Sequence, residues 1–262
     1  MGFSFHDLHL HTFLSSCSAD PGQTPEAILA SAAAQGLTTV AFTDHYWDET
    51  MPGVFDWYLP QDTGHLRQLE IPADTKGVRV LSGCETEFRG GRLIGLSPAR
   101  AEEMELIQLP INHFHIQQVR GEVAAVPESL AALWMERLEE ALCLSLPWKK
   151  TVLSHLNIFP ADNGRDPVLE ALLSGHACRV AKAFDKAAAL GVMAEVNVSC
   201  MRSPGFTVYP ESHVRLFAMA RRAGIRLTWG SDAHHPDGLA VLERYRESVR
   251  QLGLAPEDFA VI

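Results

Sequence analysis

Short apolar, β-prone runs recur along this chain, and each of them leads into a histidine or an acid. The first is Asp7-Leu8-His9-Leu10-His11-Thr12. Successive side chains of an extended strand point to opposite faces, so this pattern places His9 and His11 on one face and Leu8 and Leu10 on the other. Residues 39–43 lead into Asp44-His45, residues 78–84 into Glu85, and residues 106–111 into Asn112-His113-Phe114-His115. Residues 151–154 end at His155, residues 192–194 lead into Glu195-Val196-Asn197, and residues 227–231 end at Asp232-Ala233-His234. One such motif alone is more often a turn or a cap. Seven of them in one chain point to a common cause.

Helical stretches alternate with these runs, which is the pattern of a parallel sheet with crossover helices. Thr24 is placed as an N-cap and Pro25 as the first helical residue, with the helix continuing over 27–35 until Gly36. Further helices are predicted over 128–142, over 179–190 up to Gly191, and over 213–223 up to Gly224. Residues 88–97, with Gly90-Gly91 at the centre, read as a hairpin. Residues 47–66 are irregular and aromatic. Trp47, Phe55, Trp57 and Tyr58 there suit either a local mini-core or a lid that excludes water. If the strands close into a (β/α) barrel, their C-terminal ends converge, and residues distant in sequence become one cluster.

A chain of 262 residues with 47% hydrophobic content can bury one large core, and no linker or repeat divides it, so one domain spanning 1–262 is expected. The formal charge of −10 argues against a face for long nucleic acid, which would need clustered Lys and Arg. No apolar run is long enough to span a bilayer, and no signal-peptide pattern opens the chain. The five cysteines are scattered without a C-x-x-C, which fits a reducing cytoplasm.

The converging donor set is imidazole plus carboxylate, with no thiolate pair. That chemistry suits catalytic zinc, iron or manganese, with Asp7 or a backbone carbonyl orienting the H-x-H rings and Asp44 orienting His45. A carboxylate such as Glu85 can bridge two cations, and paired cations suit attack on a phosphoester.

In these motifs the chain resembles the polymerase and histidinol phosphatase family of metal-dependent phosphoesterases. The resemblance runs over nearly the whole length, through Asp-x-His-x-His-Thr at 7–12, Thr-Asp-His at 43–45, Gly-Cys-Glu at 83–85, Ser-His at 154–155 and Gly-Ser-Asp-Ala-His at 230–234. It implies an α/β fold, a distorted seven-stranded (β/α)7 TIM-like barrel, with two or three divalent metal ions. By that resemblance His9, His11, Glu85 and Asp232 hold one ion. Glu85, His155 and His113, favoured over His115 because it comes first after its strand, hold a second. His45 and His234 hold a third. Members with the fullest site carry a histidine where this chain has Cys17, a residue that can ligate zinc as a thiolate or serve as a small buried thiol.

Within the family the stretch from Glu195 to Pro204, followed by Tyr209-Pro210, is similar to histidinol-phosphate phosphatases. The resemblance makes Arg202 a phosphate-binding arginine, gives Asn197 a supporting or substrate-binding role, and leaves proton handling to Asp232 and His234. The expected activity is hydrolysis of a small phosphorylated metabolite by a metal-activated hydroxide, with histidinol phosphate as leading candidate. The alternatives are a phosphodiesterase or nuclease acting on nucleotides, and a non-catalytic metal-binding domain.

Overall fold

The computed structural model describes residues 2–18, 20–157, 165–202 and 208–262, with only the backbone of Arg202 included. Seven parallel strands form a nearly closed barrel in the order β1 (His6–Leu10), β2 (Thr39–Phe42), β4 (Arg79–Thr86), β7 (Leu106–Pro110), β8 (Thr151–Ser154), β9 (Met193–Asn197) and β10 (Arg226–Gly230). A two-residue strand, β3 (His45–Tyr46), pairs with the C-terminal end of β4 and brings His45 level with Glu85. The expected hairpin is present as β5 (Phe88–Gly90) and β6 (Leu93–Ile94). The helices are α1 (Pro25–Gln35), α2 (Thr63–Leu66), α3 (Pro98–Glu103), α4 (Gln117–Arg120), α5 (Pro127–Ala141), α6 (Pro167–Gly175), α7 (Ala177–Leu190), α8 (Glu211–Ala223) and α9 (Leu242–Leu252).

Local chemistry sets the helix ends. The Thr24 hydroxyl accepts the Ala27 N–H at 3.2 Å, Pro25 pre-sets the first φ, and Gly36 turns out of α1 at φ 71°. The α6 helix was not anticipated, although Asp166-Pro167 repeats the start of α1, with Asp166 accepting the Leu169 N–H at 2.9 Å. The α9 helix likewise lies outside the helices that the sequence pattern predicts.

Strand β1 departs from simple alternation. Its register against β2 shifts between Asp7 and Leu10. In consequence Leu8 does not share a face with Leu10: it packs with Ala41, Leu81, Leu106, Val152 and Met193, while Leu10 joins the core under the helices. The irregularity lets Leu8 seal the barrel floor and still leaves His9 and His11 at the mouth.

Barrel closure between β1 and β10 relies on side chains as well as backbone. The Trp229 N–H donates to His6 Nε2 at 3.0 Å and the Ser231 N–H to Asp7 Oδ1 at 2.9 Å. Backbone bonds take over nearer the mouth, from Asp232 N–H to the His9 carbonyl and from His11 N–H to the Ala233 carbonyl. Asp7 therefore closes the seam; it does not orient the histidine rings.

Candidate metal centre

The eight side chains expected as ligands, His9, His11, His45, Glu85, His113, His155, Asp232 and His234, meet at the C-terminal mouth of the barrel. Glu85 lies at the middle with no exposure. Its Oε2 faces His9 Nε2 at 3.4 Å, His11 Nε2 at 3.3 Å and His45 Nδ1 at 3.1 Å. Its Oε1 faces His113 Nε2 at 3.6 Å and His155 Nε2 at 3.5 Å. Asp232 completes the enclosure, with Oδ1 at 3.3 Å from His11 Nε2 and Oδ2 at 3.4 Å from His155 Nε2.

A second ring of groups fixes these side chains. His9 Nδ1 meets Glu195 Oε1 at 2.7 Å, and His113 Nδ1 meets Glu87 Oε2 at 2.7 Å. These carboxylates hold the outer ring nitrogens and leave Nε2 of each histidine pointing inward. Neither acid was expected in this role. Glu87 was legible as the same-face neighbour of Glu85 two residues along, and Glu195 as the acid of its own strand. Asp44 serves His11 and not His45: it accepts from the Ser15 hydroxyl at 2.6 Å, and Ser15 Oγ lies 3.0 Å from His11 Nδ1.

Glu195 also links two parts of the site. Its Oε2 accepts the His155 N–H at 2.8 Å and the Asn197 amide at 3.1 Å. The Asn197 Oδ1 in turn accepts the Ser199 N–H at 2.8 Å. Asn197 is thus buried behind the site, with its amide committed to Glu195 and Ser199, and it does not reach the cavity wall as a substrate contact. Gly230 is required opposite it, because a Cβ there would overlap the Glu195 carboxylate and crowd His9. His155 and Asp232 have positive φ, 62° and 52°. That conformation is costly for residues with a side chain and is held by the Glu195 bond at His155 and by the His9 carbonyl at Asp232.

Burial opposes charge throughout this cluster, yet opposite charges outweigh it at several groups. Burial pushes Glu85 up, but His45 and His9 bring it well below the usual carboxylate range. Burial also opposes ionisation of Asp232, which His155, His9 and His234 hold well below its ordinary value. Against burial, the facing carboxylates of Asp232 and Glu85 raise His11 to about 9, and Glu87 chiefly raises His113 to about 9. At the rim burial wins, and His234 falls to about 4.

The residues fit a cation site by what they lack. Both Glu85 oxygens, Asp232 Oδ1 and His155 Nε2 are buried without a well-formed hydrogen bond. Such groups are costly unless something else satisfies them. Donor atoms of His9, Glu85 and His155 lie within 4.8 Å of one another, as do those of His9, His11 and Asp232.

The cluster opens into a cavity of about 670 Å³ walled by Phe55, Asp56, Trp57, His115, Ile116 and Gln118. The aromatic segment forms the expected mini-core and also reaches the cavity wall. Trp47 and Tyr58 are buried and pack together, while Trp57 stands edge-on to His45 with ring centroids 4.7 Å apart. The side chain of Arg202 lies outside the described residues. Among the described residues no helix is long and apolar enough to cross a membrane.

No protein-family model and no curated protein matches the sequence. Solved structures do resemble the fold. The histidinol phosphate phosphatase of Lactococcus lactis subsp. lactis, solved with zinc, L-histidinol and phosphate, superposes with a TM-score of 0.63 at 16% identity, over 97% of this chain and 95% of that one. A Listeria monocytogenes protein assigned as a histidinol phosphatase gives a TM-score of 0.61 at 11% identity, over 89% of this chain and 96% of that one. The chain therefore has the barrel fold found in histidinol phosphate phosphatases, over nearly their full length.

Proposed function

We propose that this protein is a metal-dependent phosphomonoesterase of the polymerase and histidinol phosphatase family, acting on a small phosphorylated metabolite with histidinol phosphate as leading candidate. The observation that carries this reading is Glu85: a buried carboxylate whose two oxygens face two separate sets of histidines. His9, His11 and Asp232 would hold one cation on its Oε2 side, and His113 and His155 a second on its Oε1 side.

Bound there, divalent cations of zinc, iron or manganese type supply charge neutralisation for phosphoryl oxygens and lower the pKa of water. The chain does the rest. Glu195 and Glu87 hold His9 and His113 in one tautomer, and the enclosed walls strengthen every charge interaction at the phosphoryl group. Asp232 and His234, both on the cavity wall, would take and return protons. Arg202 would grip the phosphate, so Arg202→Ala should slow all phosphomonoesters by a similar factor, about 1.5–3 kcal/mol in transition-state stabilisation. Trp57→Ala should instead change the ranking among substrates, because Trp57, on the cavity wall beside His45, would meet the leaving group.

The test is a phosphate-release screen over metabolite phosphates with protein loaded with zinc, iron or manganese. Release from histidinol phosphate above other esters supports the reading, and release from no monoester with any metal removes it.

A further inference from the structure

The chain that supplies Glu85 does not finish its work at the metal cluster. Glu87, two residues on, holds His113, and Arg89, two residues further, leaves the barrel in β5. Arg89 does not line the cavity, yet it reaches both sections of chain that wall it. Its Nε donates to the Gln118 carbonyl at 3.0 Å and its Nη1 donates to the Gly53 carbonyl. Its guanidinium also lies over the Phe55 ring, with Cζ 5.4 Å from the centroid.

The two wall sections come from distant parts of the chain. Phe55, Asp56 and Trp57 belong to the aromatic segment, and His115, Ile116 and Gln118 lie around the start of α4. Each section is tied within itself: the Tyr58 N–H donates to the Phe55 carbonyl at 2.8 Å, and the Arg120 N–H to the Ile116 carbonyl at 2.9 Å. Among the described residues no backbone hydrogen bond joins residues 53–59 to residues 112–121. Arg89 makes that connection from behind the wall.

The connector is itself anchored. In the same hairpin the Gly91 N–H donates to Glu140 Oε2 at 2.7 Å, and Arg137 of α5 pairs with that carboxylate at 3.1 Å. A Cβ at Gly90 would collide with the Arg137 guanidinium, so the hairpin sits close against α5. A guanidinium suits the joint because its rigid fork can serve two carbonyls while its face covers an aromatic ring. A lysine ammonium, a point charge on a flexible stem, cannot do all three.

We infer that Arg89 is a positioning residue that sets the spacing of the two cavity walls and, through it, the choice among phosphate esters, without touching substrate. The inference rests on the phosphomonoesterase reading above. An ester with a long leaving group depends on both walls, and one with a short leaving group depends on the metal cluster alone.

Kinetics and amide hydrogen exchange on metal-loaded protein test it. In Arg89→Ala the KM for histidinol phosphate should rise, and its kcat/KM relative to glycerol phosphate should fall about tenfold, with metal content unchanged. Exchange should quicken in residues 53–59 and 114–121 together and stay unchanged in the barrel strands. Arg89→Lys should behave like Arg89→Ala. Equal slowing of both esters, faster exchange in only one wall or in neither, or wild-type behaviour of Arg89→Lys would overturn the inference. A wild type that releases phosphate from neither ester would remove the reading of the site and the specificity role with it, and the exchange data separate that failure from a failure of the Arg89 connection.

Discussion

The two ends of the barrel interior are built on the same strands yet have opposite chemistry. On the inward face of β4 the side chains climb from Leu81 through Gly83 to Glu85, and on β9 from Met193 through Glu195 to Asn197. The floor is apolar and is backed from below by Ala260 and Ile262. The mouth, a few residues higher, buries carboxylates and imidazoles whose burial is unfavourable unless they pair or bind a cation. The floor thus stabilises the fold and the mouth draws on that stability, as the left-handed backbone at His155 and Asp232 shows.

Substitutions at the two ends should separate cleanly. Glu85→Gln should reduce phosphate release to background and strip metal more severely than His45→Ala, measured by assay and elemental analysis. Equal metal loss in the two variants would remove the bridging assignment. Leu106→Ala on the floor should cost about 2–5 kcal/mol in denaturant unfolding while leaving metal content unchanged. If metal content fell in parallel with stability, the ends would not be independent.

Glu195→Gln sharpens the contrast between ligands and the groups that hold them. It preserves size but weakens the grip on His9 and on the His155 backbone, so cation affinity should fall about 10–100-fold in chelator competition. An unchanged affinity would make Glu195 a packing residue.

The smallest effect is expected at the seam. Burial lowers His6 to about 4 and raises Asp7 to about 6. The unfolded chain protonates His6 near its ordinary value, so His6 makes the fold lose stability as pH falls from about 6.5 towards 4. Asp7 acts the other way, since the folded state takes up its proton first, from about pH 6 downwards. Asp7→Asn removes this offset, and the variant should lose about 1–2 kcal/mol more than wild type on acidification from pH 6 to pH 4. Parallel stability profiles would show that Asp7 does not titrate in this range.

Much of the mouth was legible because both of its ingredients are local. A strand run followed by His, Asp or Glu is visible residue by residue, and closure of a parallel barrel brings such ends together. The partners of the ligands were less legible. Glu195 meets His9 across 186 positions, and Asp44 reaches His11 only through Ser15. The inward turn of Leu8 depends on a register shift that no alternation pattern announces. The α9 helix is hard to read from the sequence because its apolar positions, Tyr245 and Leu252 among them, are few within a charged segment. The start of α6 is legible by the rule that places α1, since Asp166-Pro167 carries the same cap and proline as Thr24-Pro25.

A crystal structure of the metal-loaded protein with phosphate, phased on the anomalous signal of the metal, tests the Glu85 centre most directly. One cation is expected on each side of Glu85, each about 2 Å from a Glu85 oxygen and from the histidines facing it, with phosphate between them and the aromatic wall. A fully loaded crystal in which Glu85 coordinates nothing, with the cations bound elsewhere on the molecule, would contradict it.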